Sequence, residues 1–594
     1  MAPRRKDAAA RPSKTVHPPA SNNPRARPRK FRPFRLITSL IRVGICVAAL
    51  VALYKRYTSE ELSTPTEAPV AQFYGPIAFD DFRSSRVLAA FEHSYHAYEV
   101  HAFGFDDFHP ISQRGSNMSP KGPIGYFLID SLDSLWIAGM KEEYQRARDW
   151  VATELDFSKL DDKFHTFEIT IRVLGGLLSA FHLSGEHDTV LLEKAVDLAD
   201  RLLPAFETKS GLPLSFVNLS KRKGLPDPDN HGLVSLEFKY LSELTGNPVY
   251  WDAAEKAMEV IRSAPSKDGL VPIFMRPDTG HFIPSDIRLG SRGDSYYEYL
   301  VKQYLQTNKT EEVYREMHDR SMGGIKKWLV KKSSGVGKEG QGALVYTAEL
   351  QPRKNRMGEL EFLEVPKQDH LVCFLSASLL LGVSTSPDLA RSLALPPLEE
   401  EFSEQAHDDW YLGKELLRTC VDTYFSSKTG LAPEIVNFYT SASDRSRLVS
   451  PSEPKNREWY INSRRLAAPE PPIDARNILR PETVESLFVA YRVTGDPIYR
   501  DWGWKIFEAF EKHCRLPEGG FASVRDVEKL PVTHEDRMET FWISETLKYL
   551  LLLFSGPETI PLDRYVFNTE AHPLPIFTPT VVRPKHRRRL GTIV

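Results

Sequence analysis

The chain has 594 residues, with 77 Lys or Arg against 79 Asp or Glu and a formal net charge of −2. That near-neutral total conceals an uneven distribution: residues 1–35 carry eleven Lys or Arg against Asp7 alone, a formal +10, which leaves −12 on the remainder. An acidic body argues against nucleic acid as its partner, and four cysteines are few for a chain of this length.

The first 35 residues are basic and rich in Pro and Ala, with few large apolar side chains before Phe31, and are expected to be disordered. Residues 36–54 form a largely apolar run whose only charge is Arg42. A run of that length, at 1.5 Å rise per residue, just spans a bilayer core of about 30 Å, and Arg42 can snorkel toward the basic end. A signal peptide would show a shorter apolar core and a small-residue cleavage site. The positive-inside rule leaves the tail in the cytosol and sends the body across. The expectation is a single-pass anchor in the lipid bilayer with a lumenal body. A polar stem over 55–80 comes next, then 81–575 without a linker or compositional break, then a basic tail over 576–594. Asn-x-Ser/Thr triplets at Asn117, Asn218 and Asn308 fit a lumenal location. Cys46 falls in the anchor; Cys373, Cys420 and Cys514 allow one pair and a spare thiol, compatible with an oxidising compartment.

A stretch of about 500 residues exceeds the usual single core, so one domain over 81–575 requires a repetitive closed architecture. Glycine-led strand segments recur at 211–216 (GLPLSF), 269–274 (GLVPIF), 342–346 (GALVY), 430–436 (GLAPEIV) and 519–524 (GGFASV), spaced 58, 73, 88 and 89 residues apart. Each precedes a helix-like segment with acids near its start: Glu237, Asp294 with Glu298, Asp369 before His370, Glu482 with Glu485, and Glu539 with Glu545. Segments bearing Glu168 with Arg172, and Asp130 with Asp133, have the same character without a clear preceding turn. Amphipathic helices with charged outer faces lie between, over 191–203, 250–261 and 410–424. The unit is helix, short strand pair, helix, repeated about seven times. The acid-headed apolar helix reads as an inner wall and the charged helix as an outer one. Closing such pairs into a ring aims every inner-helix N-terminus, with its acid, at one end.

The run 480–486 (RPETVES) shows the pattern most clearly. Glu482 and Glu485 are three residues apart and project from nearly the same helix face; Pro481 suits the first turn, and the helix dipole favours an acid there. Glu485 sits among Val484, Leu487, Phe488 and Val489, where burial is expected, and a buried acid is expensive unless something uses it. Crowded carboxylates push one another's pKa values apart, and glycoside hydrolysis needs two carboxylic groups and no organic cofactor. Phe167, Tyr296, Tyr297, Phe541 and Trp542 could stack on sugar rings; Arg172, Arg292 and Arg480 would keep some acids ionised and donate to hydroxyls. Other chemistries fail. Gly335, Gly337 and Gly340 have dinucleotide-fingerprint spacing but lead into a strand-like segment. Residues 227–232 suggest a calcium loop that Pro228 and the misplaced Glu237 break. There is no paired-Cys zinc signature, no His-Glu-x-x-His and no nucleophile elbow.

Five segments, 167–185 (FEITIRVLGGLLSAFHLSG), 292–300 (RGDSYYEYL), 369–374 (DHLVCF), 480–486 (RPETVES) and 567–573 (FNTEAHP), closely resemble the class I α-1,2-mannosidases, glycoside hydrolase family 47, and the likeness covers about residues 85–575. The resemblance implies an all-α fold, an (α/α)7 barrel with short β-hairpins. It implies inverting, calcium-dependent hydrolysis of terminal α-1,2-linked mannose from high-mannose N-glycans on glycoproteins. Carried over by residue, it implies a general acid at Glu168 acting through water, a base at Glu482 and a third essential carboxylate at Asp294. It puts a calcium ion (Ca2+) on Thr569, with water ligands steered by Glu485, Glu545 and Glu570. It assigns sugar binding to Asp130, Arg172, Glu237, Arg292, Glu298, His370, Glu434, Arg480 and Phe541, and pairs Cys373 with Cys420, leaving Cys514 free. Arg292 resembles members acting in the endoplasmic reticulum, which preferentially remove one mannose from the middle branch; Golgi members typically carry a smaller or apolar residue there. The expectation is therefore trimming of nine-mannose to eight-mannose glycans by a type II protein of the endoplasmic reticulum membrane. The alternatives are a Golgi-type enzyme that removes several mannoses, or a glycan-binding quality-control factor with little turnover. The latter would have lost a catalytic acid, and Glu168, Asp294 and Glu482 are all present. Departures from the family pattern are 218–236, which lacks an acidic approach to Glu237, altered loops over 332–367 and 437–476, and the basic extension beyond Pro579.

Overall fold

The computed structural model describes residues 76–581 apart from 227–234, 336–341, 388, 390–396, 442, 444–456 and 463–470. The expected tail, anchor and nearly all of the stem, most of the C-terminal tail, Gly337, Gly340 and the 227–232 loop lie outside the described residues. The chain divides into two compact units, Met1–Gln72 and Phe73–Val594, and every described residue belongs to the second.

Among the described residues the long helices are of two kinds. One set is buried on nearly all sides, polar residues included. In chain order it comprises Tyr126–Asp130 with Leu132–Ile137; Thr166–Glu168 running through Ile169–Leu174 into Gly175–Leu183; Ser235–Thr245; Asp294–Gln306; His370–Cys373 into Phe374–Ser384; Glu482–Thr494; and Trp542–Leu547 into Lys548–Phe554. We call these inner helices one to seven. Every residue from Glu482 to Val493 is buried. The other set is amphipathic: Asp81–Ala102, Lys141–Thr153, Thr189–Leu202, Pro248–Ser263, Glu312–Trp328, Glu404–Phe425 and Pro497–His513. Thr189–Leu202, for instance, buries Leu191, Ala195, Leu198 and Leu202 at helical spacing and exposes Glu193.

Each inner helix touches the next in chain order, and the seventh touches the first. Inner helices one to six each pack against the outer helix that follows, whereas the seventh packs against Asp81–Ala102, the first helix of the unit. At that seam the Asp80 N–H donates to the Phe554 carbonyl at 2.9 Å. Sequence ends thus complete the last pair, as ring closure requires.

Short antiparallel sheets staple one end of this ring. Phe164–His165, just before inner helix two, pairs with Phe216–Asn218 in the register Phe164↔Val217. Lys367–Asp369, just before inner helix five, pairs with Ile435–Phe438 in the register Gln368↔Val436. The five glycines that lead the recurrent segments, Gly211, Gly269, Gly342, Gly430 and Gly519, all have positive φ. At Gly269 a Cβ would also come within 2.9 Å of the Ser321 nitrogen, so the repeat signal has a backbone cause.

Some expectations shift. Outer helices begin earlier than the apolar periodicity does, because Asn247 and Ser403 cap them by accepting from the Val249 and Ala406 N–H groups. Pro481 sits at the cap of its helix rather than in the first turn. The 269–274 segment makes isolated bridges, not a strand pair. Asn218 is buried, its amide donating to Asp161 and accepting from the Lys221 N–H, so it is closed to a glycan once the chain folds. Thr166–Leu183 is the described segment apolar enough to cross a membrane by length and composition, but it is mostly buried as inner helix two. The Cys373–Cys420 disulfide ties inner helix five to its outer partner, and Cys514 is free and buried.

Gly503, on the last outer helix, leaves no room for a side chain: a Cβ would lie 2.4 Å from Leu553 Cδ2. Gly503→Ala should cost about 1–3 kcal/mol by overpacking, seen as a lower thermal midpoint.

Candidate active site

The stapled end of the ring holds a cavity of about 480 Å³. Its charged wall comes from the starts of the inner helices: Glu168 and Arg172 from the second, Asp294 and Glu298 from the fourth, Glu482 and Glu485 from the sixth, Glu545 from the seventh. Arg292, Arg480 and Phe541 precede three of these helices, and the C-terminal segment adds Thr569 and Glu570. Leu212, Val271, Met275 and Phe282 form an apolar wall. Of the residues expected from sequence, Asp130, Glu237, His370 and Glu434 are buried and stand behind the lining.

Those four hold the lining in place. His370 Nδ1 lies 2.8 Å from Glu482 Oε2, while its Nε2 meets Tyr424 Oη and Thr483 Oγ1 at 3.1 Å each. Arg480 donates through Nε to Glu434 at 2.8 Å and stands 3.7 Å from Glu482 Oε1. Burial opposes ionisation of Glu482, but the His370 hydrogen bond and the Arg480 charge outweigh it and hold the carboxyl below its usual range. Asp294 goes the other way. Burial, joined by the charges of Glu298 and Glu482, pushes it up to about 7 against hydrogen bonds from Ser295 N–H (2.7 Å) and Oγ (3.1 Å).

Arg172 organises the opposite wall. Its Nε donates to Glu168 Oε2 at 3.1 Å, and its Nη1 lies 2.5 Å from Glu570 and 3.5 Å from Asp130. Tyr126 Oη donates to the same Glu168 oxygen at 3.3 Å. Asp130 in turn meets His572 Nε2 at 3.1 Å and the Ser544 hydroxyl at 2.9 Å. Glu237 accepts from Tyr299 Oη at 2.8 Å and Asn568 Nδ2 at 2.9 Å.

Along the cavity wall that holds Thr569, acid groups outnumber cations. Burial, offset in part by Lys302 and reinforced by Glu298, pushes Glu485 up to about 7. Burial also carries Glu570 up to about 8 despite Arg172, and Glu545 rises from burial and from its neighbour Glu570. Lys302, fully buried, pairs with Glu298 and lies 3.4 Å from Glu485. The described group that brings three metal-ligating atoms within 4.8 Å of one another is elsewhere, His96 with Glu99 and Glu143, where Glu99 and Glu143 are taken up by Arg146.

The backbone is strained next to the acids. Arg292 (φ 73°), Leu479 (φ 69°) and Ala571 (φ 58°) are left-handed non-glycine residues beside Asp294, Arg480 and Glu570. Leu479 is held there by its N–H to Asn477 Oδ1 (3.0 Å) and by Thr546 Oγ1 donating to its carbonyl (2.6 Å). π-helical turns at Ile169–Leu174 and Trp542–Leu547 directly follow Glu168 and Phe541, the kind of irregularity that marks functional sites. Sequence reasoning missed the turns, Tyr126, Lys302 and Asp106. Only Lys302 left a trace, as a cation four residues after Glu298 in an apolar helix.

Asp106, fully buried, accepts the N–H groups of Met118 (3.1 Å), Ile124 and Tyr126 (3.0 Å each) and so fixes the loop that presents Tyr126 to Glu168. Burial pushes its carboxyl up to about 6. A carboxyl with a raised folded pKa holds its proton more tightly in the fold, so its contribution to stability falls as pH rises from about 4 to about 6. Thermal unfolding across that window should show the wild type losing stability relative to Asp106→Asn; parallel curves would contradict this.

Comparison with known proteins agrees with this geometry. The Glycosyl hydrolase family 47 profile matches residues 90–576. The chain is 44% identical over 510 residues to a mannosyl-oligosaccharide 1,2-alpha-mannosidase of Candida albicans, covering 83% of each chain. It is 43% identical over 507 residues to an endoplasmic reticulum mannosyl-oligosaccharide 1,2-alpha-mannosidase of Schizosaccharomyces pombe, covering 83% of this chain and 89% of that one. The solved alpha-1,2-mannosidase from Trichoderma reesei superposes with a TM-score of 0.71 at 27% identity, over 84% of this chain and all of that one. With the profile running the length of the helical ring, the chain belongs to glycosyl hydrolase family 47 and is a glycoside hydrolase.

Proposed function

We propose that the protein is an inverting, calcium-dependent α-1,2-mannosidase, anchored in the endoplasmic reticulum membrane by residues 36–54, that trims nine-mannose N-glycans on glycoproteins to eight. Its cyclic helix pairs are then the (α/α)7 barrel of the family. The observation that carries the reading is the convergence of Glu168, Asp294 and Glu482, from three separate helices, on one cavity of sugar size. The names of the relatives, among them an endoplasmic reticulum enzyme of Homo sapiens 39% identical over 87% of this chain, support the substrate and the compartment.

Glu482 serves as base. Held ionised by His370 and Arg480, it accepts the proton of the attacking water. Glu168 stands three helices away around the ring and lines the same cavity; an inverting reaction would place that water between the two carboxyls. Glu168 delivers a proton toward the leaving oxygen through a bridging water. Asp294, pushed up to about 7 by burial and by the charges of Glu298 and Glu482, is partly protonated at neutral pH and is a second proton carrier on the same cavity. Phe541, with the Arg172 and Arg480 guanidiniums 5.8 and 5.7 Å from its ring centre, offers a fixed apolar face for the sugar.

The residues about Thr569 fit calcium. Thr569 has hydroxyl and carbonyl oxygens, hard ligands of the kind that ion takes. Glu485, Glu545 and Glu570 have only Lys302 and Arg172 as cations, both shared with other acids, and the buried Glu237 Oε2 has no hydrogen-bond partner. Thr569 would hold the ion directly and the three acids its waters; bound there, the ion would orient and polarise the sugar hydroxyls.

Glu482→Gln should leave the thermal midpoint near wild type and lower kcat by about 10²–10⁴-fold or more, while wild type converts a nine-mannose glycan to a single eight-mannose isomer. Near-normal turnover in the variant would remove Glu482 from the mechanism. Release of several mannoses by wild type would favour the Golgi-type alternative.

A further inference from the structure

We propose that Asn568 is the positioning residue that shapes the Thr569–Glu570 turn and locks it to the helix carrying Glu168 and Arg172; this rests on the calcium reading of Thr569. An Asn side chain has two donor hydrogens and an acceptor with two lone pairs. Asn568 has no solvent exposure and satisfies all four within its surroundings. Nδ2 donates to the Ile171 carbonyl at 2.8 Å and to Glu237 Oε1 at 2.9 Å. Oδ1 accepts the backbone N–H groups of Glu570 and His572, each at 2.9 Å. One end of the amide meets only acceptors and the other only donors, so the network fixes which end is which.

The consequences run in two directions. Along the chain, the Oδ1 contacts and the Asn568 N–H to the His572 carbonyl (3.0 Å) close residues 568–572 into a turn, with Ala571 at φ 58° inside it. Thr569 is left half-open at the cavity, its N–H on Tyr299 Oη at 3.2 Å. Across the chain, Ile171 belongs to the π turn one residue before Arg172, and Glu237 opens inner helix three. The amide therefore joins the proposed metal turn to two inner helices. The helix itself makes room for it: at Gly175 a Cβ would lie 2.7 Å from Asn568 Nδ2 and 3.0 Å from His572 Cδ2. A methyl group there meets the Asn568 amide first and His572 next, and no carboxylate is among its three nearest atoms.

The test uses the full chain in detergent, stripped of metal, with calcium titrated by calorimetry and the thermal midpoint read with and without calcium. Asn568→Ala and Gly175→Ala should each weaken calcium binding about 10–100-fold, the usual cost of losing an outer-shell partner, and shrink the calcium-dependent rise in midpoint. Gly503→Ala, a packing clash away from the cavity, should lower the midpoint and leave the calcium Kd unchanged. Asn568→Ala and Gly175→Ala binding calcium as tightly as wild type would overturn the proposal. If Asn568→Ala fails to fold, Gly175→Ala decides alone. A wild type that binds no calcium overturns the metal reading and this proposal together, an outcome distinct from tight binding by the variants.

Discussion

Seven carboxyl groups line one cavity in this protein, and like charges so placed repel one another. Everything else in the fold answers that constraint. Acids so placed stay together only if the frame cannot relax away from them. A ring whose seventh inner helix touches the first, sealed by the unit's first helix, gives that rigidity. The short sheets and the positive-φ glycines then bring the starts of the inner helices, where helix dipoles favour negative charge, to the same end.

Compensation within the cavity is sparse and shared. Arg172 serves Glu168, Asp130 and Glu570; Arg480 serves Glu434 and Glu482; Lys302 serves Glu298 and Glu485. Behind them, with no solvent exposure at all, Lys548 and His572 pair with Asp133 at 2.9 and 2.8 Å. Removing one partner of such a buried pair strands the other charge, which is far costlier than the pair is worth. His370 and Arg480 hold Glu482 low while burial carries Asp294 up to about 7, a separation that would suit two carboxylates of one cavity to different chemical roles.

Features that obey a period or a local rule were legible in the sequence. Glycine-led strands, acid-headed apolar helices and charged outer helices repeat, so the helix pairs and the convergence of Glu168, Asp294 and Glu482 could be read before any coordinates. The resemblance then brought Thr569 and the Cys373–Cys420 pair into view. Features that depend on tertiary contact stayed hidden. Nothing in the local sequence says that helices two and seven widen into π turns, or that Asn218 turns inward toward Asp161. His370, Glu434, Glu237 and Asp130 were visible as site residues, but not their placement behind the lining, because a carboxylate facing a sugar and one facing an arginine look alike in sequence. Asn568 was in plain sight within the 567–573 motif, yet two of its hydrogen bonds reach Ile171 and Glu237, hundreds of positions away.

The proposed calcium ion at Thr569 would offset this crowding of acids in the cavity. Anomalous diffraction from crystals grown with calcium, or with a lanthanide in its place, tests that assignment most directly. One strong peak is expected in the cavity, within bonding distance of the Thr569 oxygens. A cavity without a peak, or a metal found only at the outer His96–Glu99–Glu143 group, would contradict it.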